Sequence, residues 1–261
     1  MSGLLEVHGA YKHYGGVAAV ADASLEVEAG SVTALIGPNG AGKTTLFNII
    51  SGFVRPERGT VVFDGRRIDR KAPHRVARAG LVRTFQTAKA LTRMTVLDNM
   101  MLAADDQPGE HLWGLALPVR VRAKEREIAE RARELLTLVR LEAHAQAYAG
   151  TLSGGQRKLL EFARALMTRP RMVLLDEPMA GVNPTLGLQL LDRVQDLRHE
   201  EGMTFLLIEH DLEVVMAVSD LVHVMSNGTV IASGPPNEVR RNQDVIDAYL
   251  GRHGEAAETP A

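Results

Sequence analysis

Residues 37–44 read Gly-Pro-Asn-Gly-Ala-Gly-Lys-Thr and fill every fixed position of the pattern G-x-x-x-x-G-K-[ST]. An apolar run, Val32–Ile36, precedes this stretch, and a helical run, Thr45–Ser51, follows it. The three glycines let the backbone curl so that N–H groups point at an anion, and the helix adds its positive dipole there. The alternative is a glycine-rich turn before an ordinary helix. Because all fixed positions are filled in a strand-loop-helix setting, the stretch predicts a loop that binds a nucleoside triphosphate.

The loop assigns a role to two side chains that reach the phosphates and the metal ion. Lys43 is expected to contact the β- and γ-phosphates, and the Thr44 hydroxyl is expected to bind Mg²⁺. The residues predicted to hold the nucleotide here are Gly37, Pro38, Asn39, Gly40, Ala41, Gly42, Lys43, Thr44 and Thr45.

Composition excludes several classes of protein. Of the 261 residues, 45% are hydrophobic and 24% are charged, as in a globular protein with a core. The formal net charge of −2 gives no electrostatic reason to expect nucleic acid as the main partner. There is no cysteine, which rules out disulfides and thiolate metal sites. We see no secretory signal and no apolar run near the ~18 residues of a spanning helix, so we expect any membrane role to come through a partner.

The pattern of short strands and helices predicts a parallel sheet beside a smaller antiparallel layer. Strands at 172–175 and 204–208 flank a helical run at 187–199, which is the alternation of a crossover unit. A largely helical region separates these strands from the first part of the chain. The strand candidates are 4–8, 23–27, 32–36, 61–63, 81–85, 172–175, 204–208, 222–225 and 230–231.

Two acidic residues end one of the apolar strands. Residues 172–177 read Met-Val-Leu-Leu-Asp-Glu, which places both carboxylates at the edge where open α/β sheets bind ligands. An acidic strand end alone is common and has a purely structural explanation. Together with the phosphate loop, it predicts that Asp176 serves Mg²⁺, directly or through water, and that Glu177 orients an attacking water.

Residues 152–156 read Leu-Ser-Gly-Gly-Gln and open a helical stretch at 157–168. Ser153 is a good N-cap residue, and the two glycines leave backbone N–H groups open to an anion. By itself the segment is only a helix start. Its place between the phosphate loop and Asp176 makes it a candidate anion site.

These motifs, with Gln86 and His210, stand in the order and spacing of ABC-type ATP-binding subunits, which the chain resembles from about Leu4 to Gly251. The resemblance implies a P-loop NTPase fold of the α/β class, with a RecA-like parallel-sheet core, an N-terminal antiparallel β layer and an inserted α-helical subdomain. It also implies a head-to-tail dimer that holds two ATP molecules. Each ATP would lie on one phosphate loop and be capped by the partner's segment, namely Ser153, Gly154, Gly155 and Gln156.

The resemblance assigns further roles. Tyr14 would stack on adenine, with Tyr11 as the fallback and a half-buried strand-end tyrosine as the alternative. Gln86 would contact Mg²⁺ and the lytic water, and His210 would hold the γ-phosphate, although a strand-end histidine is often only a surface residue. The implied catalytic residues are Glu177, His210 and Gln86, and the implied metal ligands are Thr44, Gln86 and Asp176.

The resemblance also implies domain bounds. An ATP-binding domain covers residues 1–251, with a catalytic core at about 1–94 and 169–251 and a helical subdomain at about 95–168. Residues 252–261 are polar and small, and we expect them to form a disordered tail. One position departs from the family's commonest pattern. Asn183 stands where an aspartate is usual, and it keeps the hydrogen-bonding capacity without the charge.

Three segments resemble the importers of branched-chain amino acids: Arg83-Thr84-Phe85-Gln86, the Asn183 loop and Tyr249-Leu250-Gly251. The implied partners are a second ATP-binding subunit, two membrane-spanning permease subunits and, indirectly, an extracytoplasmic solute-binding protein, at the cytoplasmic face of the membrane. The second subunit is expected to be a non-identical paralogue, and a homodimer stays open. Urea or amide importers are the nearest alternative, followed by a soluble ABC-type ATPase that is not coupled to transport.

Overall fold

The computed structural model describes residues 3–84, 90–105 and 118–254. Within these residues the chain forms two compact units. The first unit comprises 3–83, 171–177 and 195–254, and the second comprises 84, 90–105, 118–170 and 178–194. The domain bounds that we derive from the sequence, near residues 94 and 168, stay a prediction.

The first unit contains two sheets, as predicted. A six-stranded sheet has the order β10-β9-β3-β8-β7-β6, in which all neighbours are parallel except β10 and β9. A four-stranded antiparallel sheet has the order β2-β1-β4-β5. The strands are β1 Leu5–Tyr14, β2 Val17–Val27, β3 Val32–Ile36, β4 Arg58–Phe63, β5 Arg66–Arg67, β6 Leu81–Arg83, β7 Met172–Asp176, β8 Thr204–Ile208, β9 Leu221–Ser226 and β10 Thr229–Gly234.

The last two helices follow β10, the others lie between strands in the chain, and the region after β6 is helical as predicted. They are α1 Lys43–Ile50, α2 Pro73–Arg78, α3 Val96–Met101, α4 Pro118–Leu138, α5 Gly154–Leu166, α6 Pro184–Glu201, α7 Leu212–Val218, α8 Pro236–Val239 and α9 Gln243–Gly254. Helix α9 continues past residue 251, where the sequence predicts the folded domain to end. Among the residues that the structure describes, no helix has the length and apolarity to cross a membrane.

The core of the first unit fixes the helix that follows the phosphate loop. Every residue of β3, β7 and β8 is buried, as expected for parallel strands covered on both faces. Helix α1 buries Leu46, Phe47, Ile49 and Ile50 in a cluster shared with residues of both sheets. The site at its N-terminus is therefore carried by a well-packed element.

Strands β1 and β2 are longer than predicted. They span 10 and 11 residues, and their pairing contains register shifts between Val7 and Ala10 and between Lys12 and His13. Each shift interrupts the alternation of side chains between the two faces, so the alternating pattern in the sequence covers only part of each strand.

A buried histidine in β9 forms hydrogen bonds with β2 and β10. His223 is 4% exposed, and its ring nitrogens lie 2.7 Å from Ser233 Oγ and 2.9 Å from the Glu26 carbonyl oxygen. Nε2–H therefore donates to the carbonyl, and Nδ1 accepts from the hydroxyl in the neutral ring. Burial lowers the pKa of His223 below its ordinary value of 6.5, and the Glu26 carbonyl partly opposes this shift.

The lowered pKa of His223 predicts a loss of stability in acid. Because the folded-state pKa lies below the unfolded-state value, the unfolded chain binds more protons as pH falls below about 6.5. The free energy of unfolding therefore keeps its full value with respect to His223 above that pH. It falls below that pH, by at most about 1.4 kcal/mol per pH unit. We expect His223→Gln to show a shallower fall in the free energy of unfolding between pH 7.5 and pH 5.5 in urea titrations. Equal slopes in both proteins would refute this, and His74→Gln, at an exposed position, is the control.

Candidate nucleotide-binding site

The predicted phosphate loop connects β3 to α1, and its glycines have backbone conformations that other residues rarely adopt. The φ angles of Gly37, Gly40 and Gly42 are 144°, 76° and 102°. A Cβ atom on Gly37 would collide with the carbonyl oxygen of Met225, and one on Gly42 would collide with that of Ala19. These two glycines are therefore required by the close approach of β9 and β2.

Lys43, the first residue of α1, is folded back over the loop. Its side chain is buried, with 6% of the residue exposed, and Nζ donates to the carbonyl oxygens of Gly37 and Pro38 at 2.7 and 3.0 Å. Thr44 follows in the first turn and is exposed. A buried ammonium group, a helix N-terminus and a glycine-lined loop in one place fit a phosphate anion.

Gly37→Ala is expected to weaken nucleotide binding and to destabilise the first unit. The positive φ costs about 1–2 kcal/mol in a residue with a Cβ atom, and the collision with Met225 adds an overpacking cost of about 1–3 kcal/mol. The control is Gly65→Ala, because Gly65 has a φ of 69° but no atom within 4 Å of the added Cβ. Urea unfolding and titration with a fluorescent ATP analogue measure both effects. Equal destabilisation by the two substitutions would contradict the argument from close packing.

The sheet order brings two predicted catalytic residues together. Glu177 directly follows β7, His210 follows β8 closely, and these strands are parallel neighbours. Glu177 Oε1 lies 2.6 Å from His210 Nε2, and the side chains are 17% and 46% exposed. The phosphate loop leaves β3, which is the other neighbour of β8, at the same edge of the sheet.

Glu177 has an unusual backbone for a residue with a Cβ atom. Its φ is 50°, and its N–H donates to the Ile208 carbonyl oxygen at 3.0 Å. A left-handed conformation in such a residue costs free energy and is concentrated at functional sites. At Glu177 this conformation turns the chain away from the direction of β7 immediately after Asp176.

Asp176 has a partner that the sequence analysis did not identify. The aspartate is 3% exposed, and Arg83 Nη2 donates to its Oδ2 at 2.6 Å. Arg83 is the last residue of β6, which is the parallel neighbour of β7. A charged residue that ends the apolar strand Leu81-Val82-Arg83 was the available signal, but the sequence does not show which strand lies next to it.

The segment at residues 152–156 forms a helix start in the second unit. Helix α5 spans Gly154–Leu166, so it begins directly after the predicted N-cap, and the bounds 157–168 predicted for the helical stretch are shifted by two to three residues. Ser153 Oγ accepts from Gln156 N at 3.2 Å, and Ser153 N donates to Gln156 Oε1 at 2.9 Å, which is a capping box. The predicted N-cap role of Ser153 is therefore confirmed, and Ser153 itself is exposed.

The two glycines of this segment differ in their surroundings. A Cβ atom on Gly154 would meet no atom within 4 Å, whereas one on Gly155 would approach the side chains of Val182 and Leu186. A larger residue at Gly155 would therefore have to displace side chains of its own unit, and the exposed position belongs to Gly154. At the start of α6, Asn183 Oδ1 accepts a hydrogen bond from Thr185 N at 2.9 Å. An aspartate, the usual residue at this position, can make the same bond.

Of the two candidate tyrosines, Tyr14 has the more accessible ring. It is 50% exposed at the end of β1, with Lys12 Nζ 5.5 Å from the ring centroid. The Tyr11 ring is covered by the guanidinium group of Arg58 at 4.9 Å. Gln86 lies outside the residues that the structure describes, and its role stays a prediction.

Comparisons with known proteins match this chain to one family. The model of the ABC transporter family matches residues 20–180, and that of the branched-chain amino acid ATP-binding cassette transporter matches residues 229–255. The high-affinity branched-chain amino acid transport ATP-binding protein BraF of Pseudomonas aeruginosa is 44% identical over 249 residues, covering 95% of this chain and 98% of that protein.

Solved structures are similar over the same length. The ADP conformation of MJ1267, an ATP-binding cassette of an ABC transporter, is 39% identical with a TM-score of 0.83, covering 96% of this chain and 100% of that one. The dimeric structure of MJ0796, a bacterial ABC transporter cassette, is 25% identical with a TM-score of 0.74, covering 89% and 98%.

Proposed function

This chain belongs to the ABC transporter family, and on that premise we propose that it is the ATP-hydrolysing subunit that powers import of branched-chain or related hydrophobic amino acids. The observation that carries the proposal is the contact of Glu177 with His210 at the edge of the sheet where the phosphate loop also lies. The match of residues 229–255 to the branched-chain amino acid model supports the choice of substrate class.

Different residues of this chain have different roles in ATP hydrolysis. The loop amides and Lys43 bind the β- and γ-phosphates and stabilise the charge that develops on them. Glu177 accepts a proton from the attacking water, whose oxygen bonds to the γ-phosphorus while the bond to the β–γ bridging oxygen breaks. The electron pair of that bond leaves with ADP. His210 orients Glu177 in the structure, and we propose that it also contacts the γ-phosphate.

The proposed metal site fits the preferences of Mg²⁺. This ion is usually held by one or two carboxylates together with the phosphates of the substrate. In the described part of the chain, no cluster of three or more histidine, aspartate or glutamate residues provides a complete cage. We propose Thr44, Asp176 and Gln86 as the residues that hold Mg²⁺, whose chemistry is to neutralise charge on the phosphate oxygens.

We propose that the second unit serves the nucleotide of another subunit. The exposed residues Ser153 and Gly154, at the start of an anion-attracting helix, suit such a contact. ATP would then favour a closed dimer, because it contacts both halves only in that state. The proposed partners are a paralogous ATP-binding subunit or a second copy of this chain, two permease subunits and a solute-binding protein, with this chain at the cytoplasmic face of the membrane.

Purification of the tagged full chain from its native membranes tests this function. We expect multi-spanning membrane subunits in the purified complex, and we expect its ATPase rate in liposomes to rise with leucine and its binding protein. Stimulation by urea instead of leucine would assign the chain to a urea or amide importer. The absence of membrane subunits would refute the role in transport.

A further inference from the structure

The buried ion pair between Arg83 and Asp176 belongs to a larger network. Both side chains are almost fully enclosed, with exposed fractions of 8% and 3%. Nη2 of Arg83 donates to Asp176 Oδ2, and within the described residues Arg83 is the one side-chain partner of this carboxylate. Within those residues, no side chain forms a hydrogen bond with the second carboxylate oxygen.

The other arm of the guanidinium group is tied to α1. Nη1 of Arg83 donates to Asn48 Oδ1 at 2.6 Å and to Ser51 Oγ at 3.2 Å. Ser51 in turn donates to the Phe47 carbonyl oxygen, so its hydroxyl is oriented to accept from Arg83. The rings of Phe47 and Phe53 lie 5.8 and 6.0 Å from the guanidinium carbon.

One planar group thus connects the end of β7 to the helix that carries the phosphate loop. The backbone of Asp176 is already set by its pairing with Ile208 in β8, and Arg83 sets the side chain. Because the opposite arm holds α1, the position of the carboxylate is fixed relative to the helix that begins with Lys43 and Thr44. A lysine has a single donor centre and cannot hold both sides in this geometry.

We propose that Arg83 is a positioning residue that holds the Asp176 carboxylate in place for the metal ion of the bound nucleotide. This inference rests on the proposed Mg²⁺–ATP site. Partners that orient a metal ligand typically change metal affinity about 10–100-fold when they are removed, without touching the metal themselves.

The test measures how much Mg²⁺ tightens nucleotide binding in the full chain. A fluorescent ATP analogue is titrated in Mg²⁺ and in EDTA for the wild type, Arg83→Met and Arg83→Lys. We expect the gain in affinity from Mg²⁺ to fall about tenfold in both variants, with unchanged affinity in EDTA. Arg83→Lys keeps the positive charge, so its failure to restore the gain separates geometry from charge. The control is Arg171→Gln, which removes an exposed ion pair with Asp64 in the same unit.

A double-mutant cycle separates positioning from a general effect on folding. In the Asp176→Asn background, Arg83→Met is expected to change the Mg²⁺ gain no further, because the two residues act through one ligand. A wild-type gain in Arg83→Met with a lower melting temperature would overturn the proposal, since Arg83 would then be purely structural. A larger gain would also overturn it, because Arg83 would then compete with the metal. No gain in the wild type would instead refute the proposed metal site itself.

Discussion

Glu177→Gln is expected to lower the rate of ATP hydrolysis on the order of 10²–10⁴-fold while ATP binding is retained. The amide has the shape of the carboxylate but cannot accept the proton of the attacking water. Since Glu177 does not belong to the phosphate loop, the affinity for the nucleotide depends on other residues. In the assembled complex, we expect ATP to hold the variant in the dimeric state, because the step that ends this state is blocked.

Steady-state phosphate release and size-exclusion chromatography with ATP measure the two effects. Glu200→Gln makes the same chemical change at an exposed position and is expected to keep the wild-type rate. The contact between Glu177 Oε1 and His210 Nε2 predicts in addition that His210→Ala slows hydrolysis. Wild-type turnover in Glu177→Gln would remove the proposed base from the mechanism.

Lys43→Ala is expected to weaken nucleotide binding about 10–100-fold, because a charge-assisted hydrogen bond contributes about 1.5–3 kcal/mol. The substitution also leaves the carbonyl oxygens of Gly37 and Pro38 without the donor that they now share. Both effects act on the loop at the N-terminus of α1, where no other lysine is close in sequence.

Calorimetric titration with MgATP measures this loss, and a thermal melt establishes that the variant is folded. Lys124→Ala is the matched control, because Lys124 pairs with Glu127 on the surface of α4. An unchanged MgATP affinity in Lys43→Ala would contradict the assignment of the loop to phosphate binding.

The central strands were predictable because burial on both faces leaves a continuous apolar run. The predicted and observed bounds agree for β3 and β8, and β7 includes one further residue, Asp176. Such runs are read directly from the sequence. The long strands of the antiparallel layer were less visible, because their register shifts break the alternating pattern.

The parts of the site that are formed by residues close in sequence could also be predicted. A phosphate loop depends on glycines, a lysine and a helix start within eight consecutive residues, and the capping box of Ser153 and Gln156 depends on a spacing of three. A motif whose residues all lie within a few consecutive positions can be recognised without knowledge of the fold. The sequence alone therefore established nucleotide binding, the acidic strand end and the helix start at residues 152–156.

Tertiary structure decided which of these distant residues meet. Glu177 touches His210 because β8 lies between β3 and β7 in the sheet, although the chain passes through them in a different order. Arg83 reaches Asp176 across 93 positions because β6 is the parallel neighbour of β7. A side chain at Gly37 would collide with β9, so the packing of the sheet requires a glycine there in addition to any requirement of phosphate binding. Pairing between strands depends on the packing of the whole sheet, and no local pattern encodes the neighbour of a strand.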